Sequence, residues 1–403
     1  MRVLLSAYAC EPNKGSEQEI GWQRSLHMLP YADEVWVLTR ANNQSVIEAD
    51  ALSHKHGLHF IYYDLPRWAL KLKTYKWFLP VYFILWQWGA YRLAKRHHQE
   101  KRFDSVYHVT LSGMYAGSFM GGLGIPFVMG PIAGGERAPI RLRRSMPLFC
   151  KVNELLRDLA IIVVRNSPLT RMAFAAAERI YVTTPDGMRL VLPKWHYKTE
   201  VHLSVAYNCQ NVQHNNRLPT IPCFVYVGRL LHWKGVHLAI RALAETRKSV
   251  PEATLTIIGC GPDEHWLRKV AQKFNVEHAV IFTGQLSRQI LINLLSNYTA
   301  FIFPSLHDSG GMAVLEALSA GLPVVCLDLG GPGVMVNDLC GFVVPTKDAN
   351  EAQLVTGLAN SMISLGTMLS AEYDCLSTGA IARAKELSWA SLTRYITGSV
   401  KLV

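Results

Sequence analysis

Residues 300–328, AFIFPSLHDSGGMAVLEALSAGLPVVCLD, decide the fold. The apolar run Ala300–Pro304 reads as a short strand buried on both faces and ended by its proline. A polar loop follows, Gly310-Gly311 opens a helix, and a second apolar run, Pro323–Asp328, reads as the next strand. A helix between two such strands is the crossover that parallel strands require.

The same alternation extends through the chain. In the first half, strands are predicted over Val3–Tyr8, Glu34–Thr39, His59–Asp64, Ser105–Thr110, Pro126–Gly130, Arg179–Thr183 and Glu200–Ala206. In the second half they are predicted over Cys223–Gly228, Ala253–Gly259, Ala279–Gly284, Ala300–Pro304, Pro323–Asp328 and Gly341–Pro345. Strands alternating with helical stretches of ten or more residues predict an α/β chain of βαβ units. Between the two sets lies the polar, Asn-rich stretch 208–219, closed by Pro219, which reads as a linker. The expected architecture is two Rossmann-like, doubly wound domains, 1–207 and 221–388, facing across a cleft. Ligands of such sheets bind at the carboxyl ends of the strands.

Composition narrows the function. Of the 403 residues, 50% are hydrophobic and 18% charged, which excludes a disordered chain. The eight cysteines, at 10, 150, 209, 223, 260, 326, 340 and 375, include no Cys-x-x-Cys pair and read as reduced, buried thiols. The N-terminus runs straight into a strand pattern with no signal-peptide apolar stretch, so a cytoplasmic setting is expected. The net charge of +11 is lopsided, with 26 basic and 16 acidic residues over 1–205. A one-sided charge suggests a polyanionic surface as partner. Over 66–102, nine basic residues stand against the single acid Glu100 and flank the aromatic run Trp77–Trp88. That composition suits an interfacial segment on an anionic membrane; the plain alternative is a buried helix with a solvated basic end. Arg137, Arg141, Arg143, Arg144 and Lys151 form a second basic stretch.

Two loops carry the sharpest chemistry. After the strand Cys223–Gly228 come Arg229 and Lys234, then Gly235 and an amphipathic helix. A strand end, a glycine, two cations and a helix N-terminus describe an anion site. Arg229 can fork onto one phosphate while Lys234 supplies a point charge to the next; surface cations on a loop are the alternative. In the second loop, bare amides at Gly310-Gly311 can approach an anion closely. Asp308 lies in that loop and Glu316 in the helix after it, placed to accept hydrogen bonds from sugar hydroxyls at different distances from a diphosphate.

Asp308-x7-Glu316, with Arg229 and Lys234 upstream and Ala320-Gly321-Leu322-Pro323-Val324 downstream, resembles the family 4 retaining glycosyltransferases (glycosyl transferase group 1) of GT-B fold. The family's usual pattern is Glu-x7-Glu, so Asp308 departs from it by one methylene. The resemblance implies a nucleotide diphosphate sugar as donor on the second domain. It implies Arg229 and Lys234 on the diphosphate, Glu316 on the ribose and Asp308 toward the donor sugar. Gly228, Ser309, Gly310, Gly311 and Met312 would surround sugar and phosphate, and Gly284, Gln285 and Leu286 would line the base pocket. In the first domain it implies donor contacts from Gly15 and Ser16, and His108 near the transferred sugar. Gly134, Gly135 and Glu136 would line the acceptor side. A last helix, within 389–403, would return to the first domain.

The activity this implies is a metal-independent, retaining transfer of a hexose, with UDP-glucose the favoured donor and no cofactor. The acceptor would be a glycan or a lipid-linked sugar in cell-surface polysaccharide synthesis, met at the inner face of the membrane. The alternatives are a GDP-mannose-dependent mannosyltransferase and a degenerate, non-catalytic nucleotide-sugar binder. A nicotinamide dehydrogenase is disfavoured because Pro262 interrupts the only glycine fingerprint, Gly259-Cys260-Gly261. A nucleic-acid partner is not expected, since the long apolar run in 66–102 suits lipid better.

Overall fold

The computed structural model describes residues 1–73, 75, 78–110, 117–143, 146–207 and 219–398. The linker stretch 208–218, and Lys76, Trp77 and Arg144 from the basic segments, lie outside the described residues.

Thirteen strands form among the described residues, at each place where the apolar runs predict one. They are β1 (Arg2–Ser6), β2 (Glu34–Arg40), β3 (Leu58–Tyr63), β4 (Ser105–His108), β5 (Phe127–Ile132), β6 (Arg179–Val182), β7 (Thr199–Val201), β8 (Cys223–Val227), β9 (Thr254–Ile258), β10 (Val280–Gly284), β11 (Ala300–Phe303), β12 (Val324–Leu327) and β13 (Gly341–Val344). The helices are α1 (Ser16–Met28), α2 (Gln44–Glu48), α3 (Arg67–Leu72), α4 (Leu79–Lys101), α5 (Leu148–Asn166), α6 (Pro168–Ala176), α7 (Val236–Thr246), α8 (Glu264–Lys273), α9 (Arg288–Leu295), α10 (Met312–Ser319), α11 (Gly330–Met335), α12 (Glu351–Gly366), α13 (Ser370–Glu386) and α14 (Trp389–Gly398).

The chain divides into two compact units. One holds 1–135, 158–205 and 389–403; the other holds 136–157 and 206–388. The first contains a seven-stranded sheet in the order β3-β2-β1-β4-β5-β6-β7 and the second a six-stranded sheet in the order β10-β9-β8-β11-β12-β13. Every pairing is parallel. In each sheet the order reverses once, between β1 and β4 and between β8 and β11. That reversal is the switch point at which open parallel sheets bind ligands.

Burial explains the strands. Val3, Leu4 and Leu5 of β1, and Ala300, Phe301 and Ile302 of β11, are completely covered. In the second unit Phe303 stacks on both Tyr226 and Phe301. Within the first unit α14 packs on α1, where the buried Arg24 donates to the Thr393 hydroxyl at 3.3 Å.

Two expectations change. The aromatic run of 66–102 is not wholly interfacial, because Tyr82 and Trp86 on α4 are fully buried in the first unit's core. Helical periodicity turns one side of the run inward and leaves Trp88 and Leu85 outside. Of the seven described cysteines, Cys10, Cys326 and Cys340 are buried, but Cys260 and Cys375 are exposed, on a loop and a helix rather than in strands. No single described helix is long and apolar enough to cross a membrane.

Candidate functional site

The two chemistry-bearing loops of the second unit flank its switch point. The loop after β8 carries Gly228, Arg229 and Lys234; the loop after β11 carries Ser305 to Gly311. Gly235 lets them meet. Its backbone is left-handed, at φ +72°, and a Cβ there would lie 1.9 Å from the Pro304 carbonyl oxygen. Only glycine permits that approach. Leu306 N–H closes the contact by donating to the Trp233 carbonyl at 2.8 Å.

Across this junction Lys234 Nζ forms an ion pair with Asp308 Oδ2. Both side chains are about 15% exposed, and the ammonium also lies 4.5 Å from the Trp233 ring and 5.2 Å from that of Phe303. The other Asp308 oxygen accepts from the Gly310 and Gly311 amides, each at 3.3 Å. The amides expected to be bare are therefore occupied. Asp308 is short enough to fold back onto the two residues ahead of α10, so that its own carboxylate takes their amides. Arg229 is exposed, and Tyr226 Oη fixes its backbone by donating to its carbonyl at 3.1 Å.

Glu316 lies on α10 with its side chain 11% exposed, 3.2 Å from Arg288 Nε. Burial pushes its carboxyl above the usual range, against the lowering pull of Arg288. Met312 opens the same helix, and Ser309 lies half-buried in the loop before it. Gly284 ends the edge strand β10 at φ +72° with open space around it. Gln285 follows and accepts from the Cys260 thiol at 3.8 Å, while Leu286 lies one residue further on.

Sequence reading does not single out several neighbours of this site. Arg288 holds Glu316. His307, beside Asp308, is buried, stacks on Trp233 at 4.6 Å and contacts Glu154 of α5 through Nε2 at 2.8 Å. Glu154 also accepts from the Ala138 amide and lies 3.6 Å from Arg143 and 3.8 Å from Arg157. Burial alone would raise its carboxyl pKa, but His307, the Ala138 amide and Arg157 together hold it below the usual range. A second cluster, His232, His237 and Trp266, stacks beside the Lys234 loop, and burial lowers the pKa of both histidines. An acid within the apolar helix 148–166, which holds only Glu154 and Asp158, was the one signal available for Glu154.

In the first unit the candidates also flank the switch point. The loop after β1 ends at Gly15, whose φ of +62° makes it the residue before α1, and Ser16 is that helix's first residue. Lys14 is paired with Glu11 at 2.8 Å. His108 is the last residue of β4, opposite Ser6 of β1, and is 1% exposed. Gly134 has φ +113°, and a Cβ on Gly135 would lie 2.3 Å from the Asp186 carbonyl oxygen. The adjoining Glu136 is buried and groups with the second unit.

Comparison with known proteins follows this geometry. Residues 211–360 match the family described as glycosyl transferases group 1. Over 142 residues the chain is 39% identical to a glycogen synthase of Mycobacterium tuberculosis, covering 35% of this chain and 33% of that one. Over 288 residues it is 25% identical to a D-inositol 3-phosphate glycosyltransferase of Corynebacterium diphtheriae, covering 67% and 65%. The chain thus spans less than two thirds of the length of these relatives. Among solved structures, the lipopolysaccharide outer core galactosyltransferase WaaB superposes with a TM-score of 0.61 at 15% identity, covering 98% of this chain and 97% of that one. Anabaena HepE, in complex with UDP and glucose, superposes with a TM-score of 0.59 at 15% identity over the whole of both chains. The fold of the chain is therefore that of the GT-B glycosyltransferases, and its residues 211–360 match the glycosyl transferases group 1 family.

Proposed function

We propose that this protein is a retaining, metal-independent glycosyltransferase that moves a hexose from a nucleotide diphosphate sugar, UDP-glucose in first place, to a glycan or lipid-linked acceptor. The observation that carries the reading is the meeting of Lys234 and Asp308 across the switch point of the second sheet. A part-buried ammonium, a helix N-terminus and the exposed Arg229 beside them suit a diphosphate. Glu316 on α10, held by Arg288 of α9, suits the ribose hydroxyls. HepE, which is similar in fold, was crystallised with UDP and glucose, which favours a UDP-sugar here.

In this reading the donor's phosphates take the place that Asp308 fills in the free protein. Asp308 then turns toward the sugar. The bond between the anomeric carbon and the diphosphate oxygen breaks as the acceptor hydroxyl attacks beside the departing phosphate, and the hydroxyl proton passes to the diphosphate oxygen that leaves. Lys234, Arg229 and the α10 amides stabilise the negative charge that develops on the leaving group. At the switch point of the first sheet, Gly15 and Ser16 are assigned to the donor and His108 to the transferred sugar, with Gly134, Gly135 and Glu136 on the acceptor side. A cytoplasmic location at the inner face of an anionic membrane belongs to the same reading.

The test is calorimetric titration with UDP-glucose. Lys234→Ala should weaken binding by ~3 kcal/mol, more than a hundredfold, as loss of one partner of a desolvated charge pair does. Unchanged affinity in this variant removes the diphosphate assignment.

A further inference from the structure

Helix α5 is inside out. Its apolar residues Leu148, Phe149, Val152, Leu155, Leu156, Leu159, Ile162 and Val163 recur at helical spacing along one face, and each is between 46% and 79% exposed. Its inward side instead carries the buried Glu154, tied to His307, Arg143 and Arg157. An amphipathic helix on a protein in water turns its apolar stripe to the core. Here the side that faces the protein carries Glu154 together with the buried Val164 and the packed Ile161, while the larger apolar stripe faces out, continued by the exposed Ile140. A contiguous exposed apolar face of this size marks an interaction surface.

Charge selects the partner. Residues 137–171 hold eight Lys or Arg and only two acids, Glu154 and Asp158. Arg143 and Arg157 are held by the buried Glu154, and Arg141 pairs with Asp348 at 3.3 Å, while Lys151 and Arg171 are exposed and Asp158 is half-covered. A second copy of the chain in a two-fold dimer would set this basic surround against itself, since such an interface pairs a patch with its own image. An anionic bilayer neutralises it. With 19 residues, the helix is about 28 Å long. Lys151, Glu154, Arg157, Asp158 and Arg165 interrupt it too often for a spanning segment, so it can lie only in the plane of the interface.

We propose that α5 is a membrane-docking helix, seated in the interface of an anionic bilayer by its outward apolar face. This placement rests on the membrane location proposed above, though not on the chemistry of transfer, and moves the docking element from 66–102 to α5. The inward side of the same helix reaches the donor-side loop, because Glu154 holds His307, the residue before Asp308.

Co-sedimentation of the full chain with vesicles tests it. Phosphatidylglycerol–phosphatidylcholine vesicles should retain the protein, and pure phosphatidylcholine vesicles should retain at least tenfold less. Leu155→Glu combined with Leu159→Glu should lower partitioning onto the anionic vesicles at least tenfold, with the thermal melt and UDP-glucose affinity unchanged. Trp88→Ser, on the exposed side of α4, should partition as the parent does. Loss of binding in Trp88→Ser with full binding in the α5 variant would overturn the proposal. So would a parent protein that ignores vesicles but forms a concentration-dependent dimer in sedimentation velocity that the α5 variant abolishes.

Discussion

Glu316 shows how one residue carries opposed demands. Its carboxyl is mostly buried, with a half-exposed Arg288 as its charged neighbour, so folding raises its pKa. The folded state then binds that proton more tightly than the unfolded chain, and ionised Glu316 costs stability at neutral pH. The cost vanishes once the pH falls below the unfolded value of 4.5. Glu316→Gln should therefore raise the urea midpoint at pH 7, and the gain should disappear at pH 4. The same substitution should weaken UDP-glucose binding, because a carboxylate accepts from a ribose diol more strongly than an amide does. Urea unfolding at both pH values and titration at pH 7 measure the two effects separately.

Among the elements, α7 depends on its entry. Gly235 is left-handed and its backbone lies against the Pro304 carbonyl, so a methyl group has nowhere to go. Gly235→Ala should cost ~2 kcal/mol or more through both conformation and collision, and should disturb the Lys234–Asp308 junction. Gly124, after the turn Met120–Leu123, has the same left-handed backbone, at φ +74°, but open space around it. Gly124→Ala should cost only the conformational part, about 1 kcal/mol. Thermal melts of the two variants, with UDP-glucose titration of the first, check the contrast. Helix α5 makes a different point at this scale. The repeat of its apolar residues is plain in the sequence, but which side faces out is not. That is set by Glu154, whose partner His307 lies 153 positions away.

For the molecule as a whole, the proposal predicts selective stabilisation by one class of ligand. In a thermal-shift panel of UDP-, GDP- and ADP-sugars, a UDP-sugar at a hundred times its Kd should stabilise the native state by ~2.7 kcal/mol. Stabilisation by GDP-mannose alone would replace the donor. At this scale the sequence was most informative about architecture. A parallel strand covered on both faces, such as β1 or β11, is written as an unbroken apolar run that can be found without coordinates, whereas the partly exposed edge strands β3, β7 and β10 are marked by the alternation of strand and helix around them. Most of the candidate residues were legible for a related reason: they sit where such runs stop, at the carboxyl ends of β1, β4, β5, β8, β10 and β11. Arg288, Glu154 and the His232–His237–Trp266 stack were not, because no local pattern marks a side chain whose partners come from distant loops.

The order of strands and helices, the glycines at the turns and the basic bias of the first half were properties of the sequence alone, because periodicity, conformational freedom and charge are local. Tertiary structure decided that Asp308 pairs with Lys234 and accepts from the Gly310 and Gly311 amides, that Tyr82 and Trp86 turn inward, and that α5 presents its apolar face outward. Each of those outcomes depends on which groups meet after the chain has folded, and burial and pairing are set by neighbours rather than by sequence spacing.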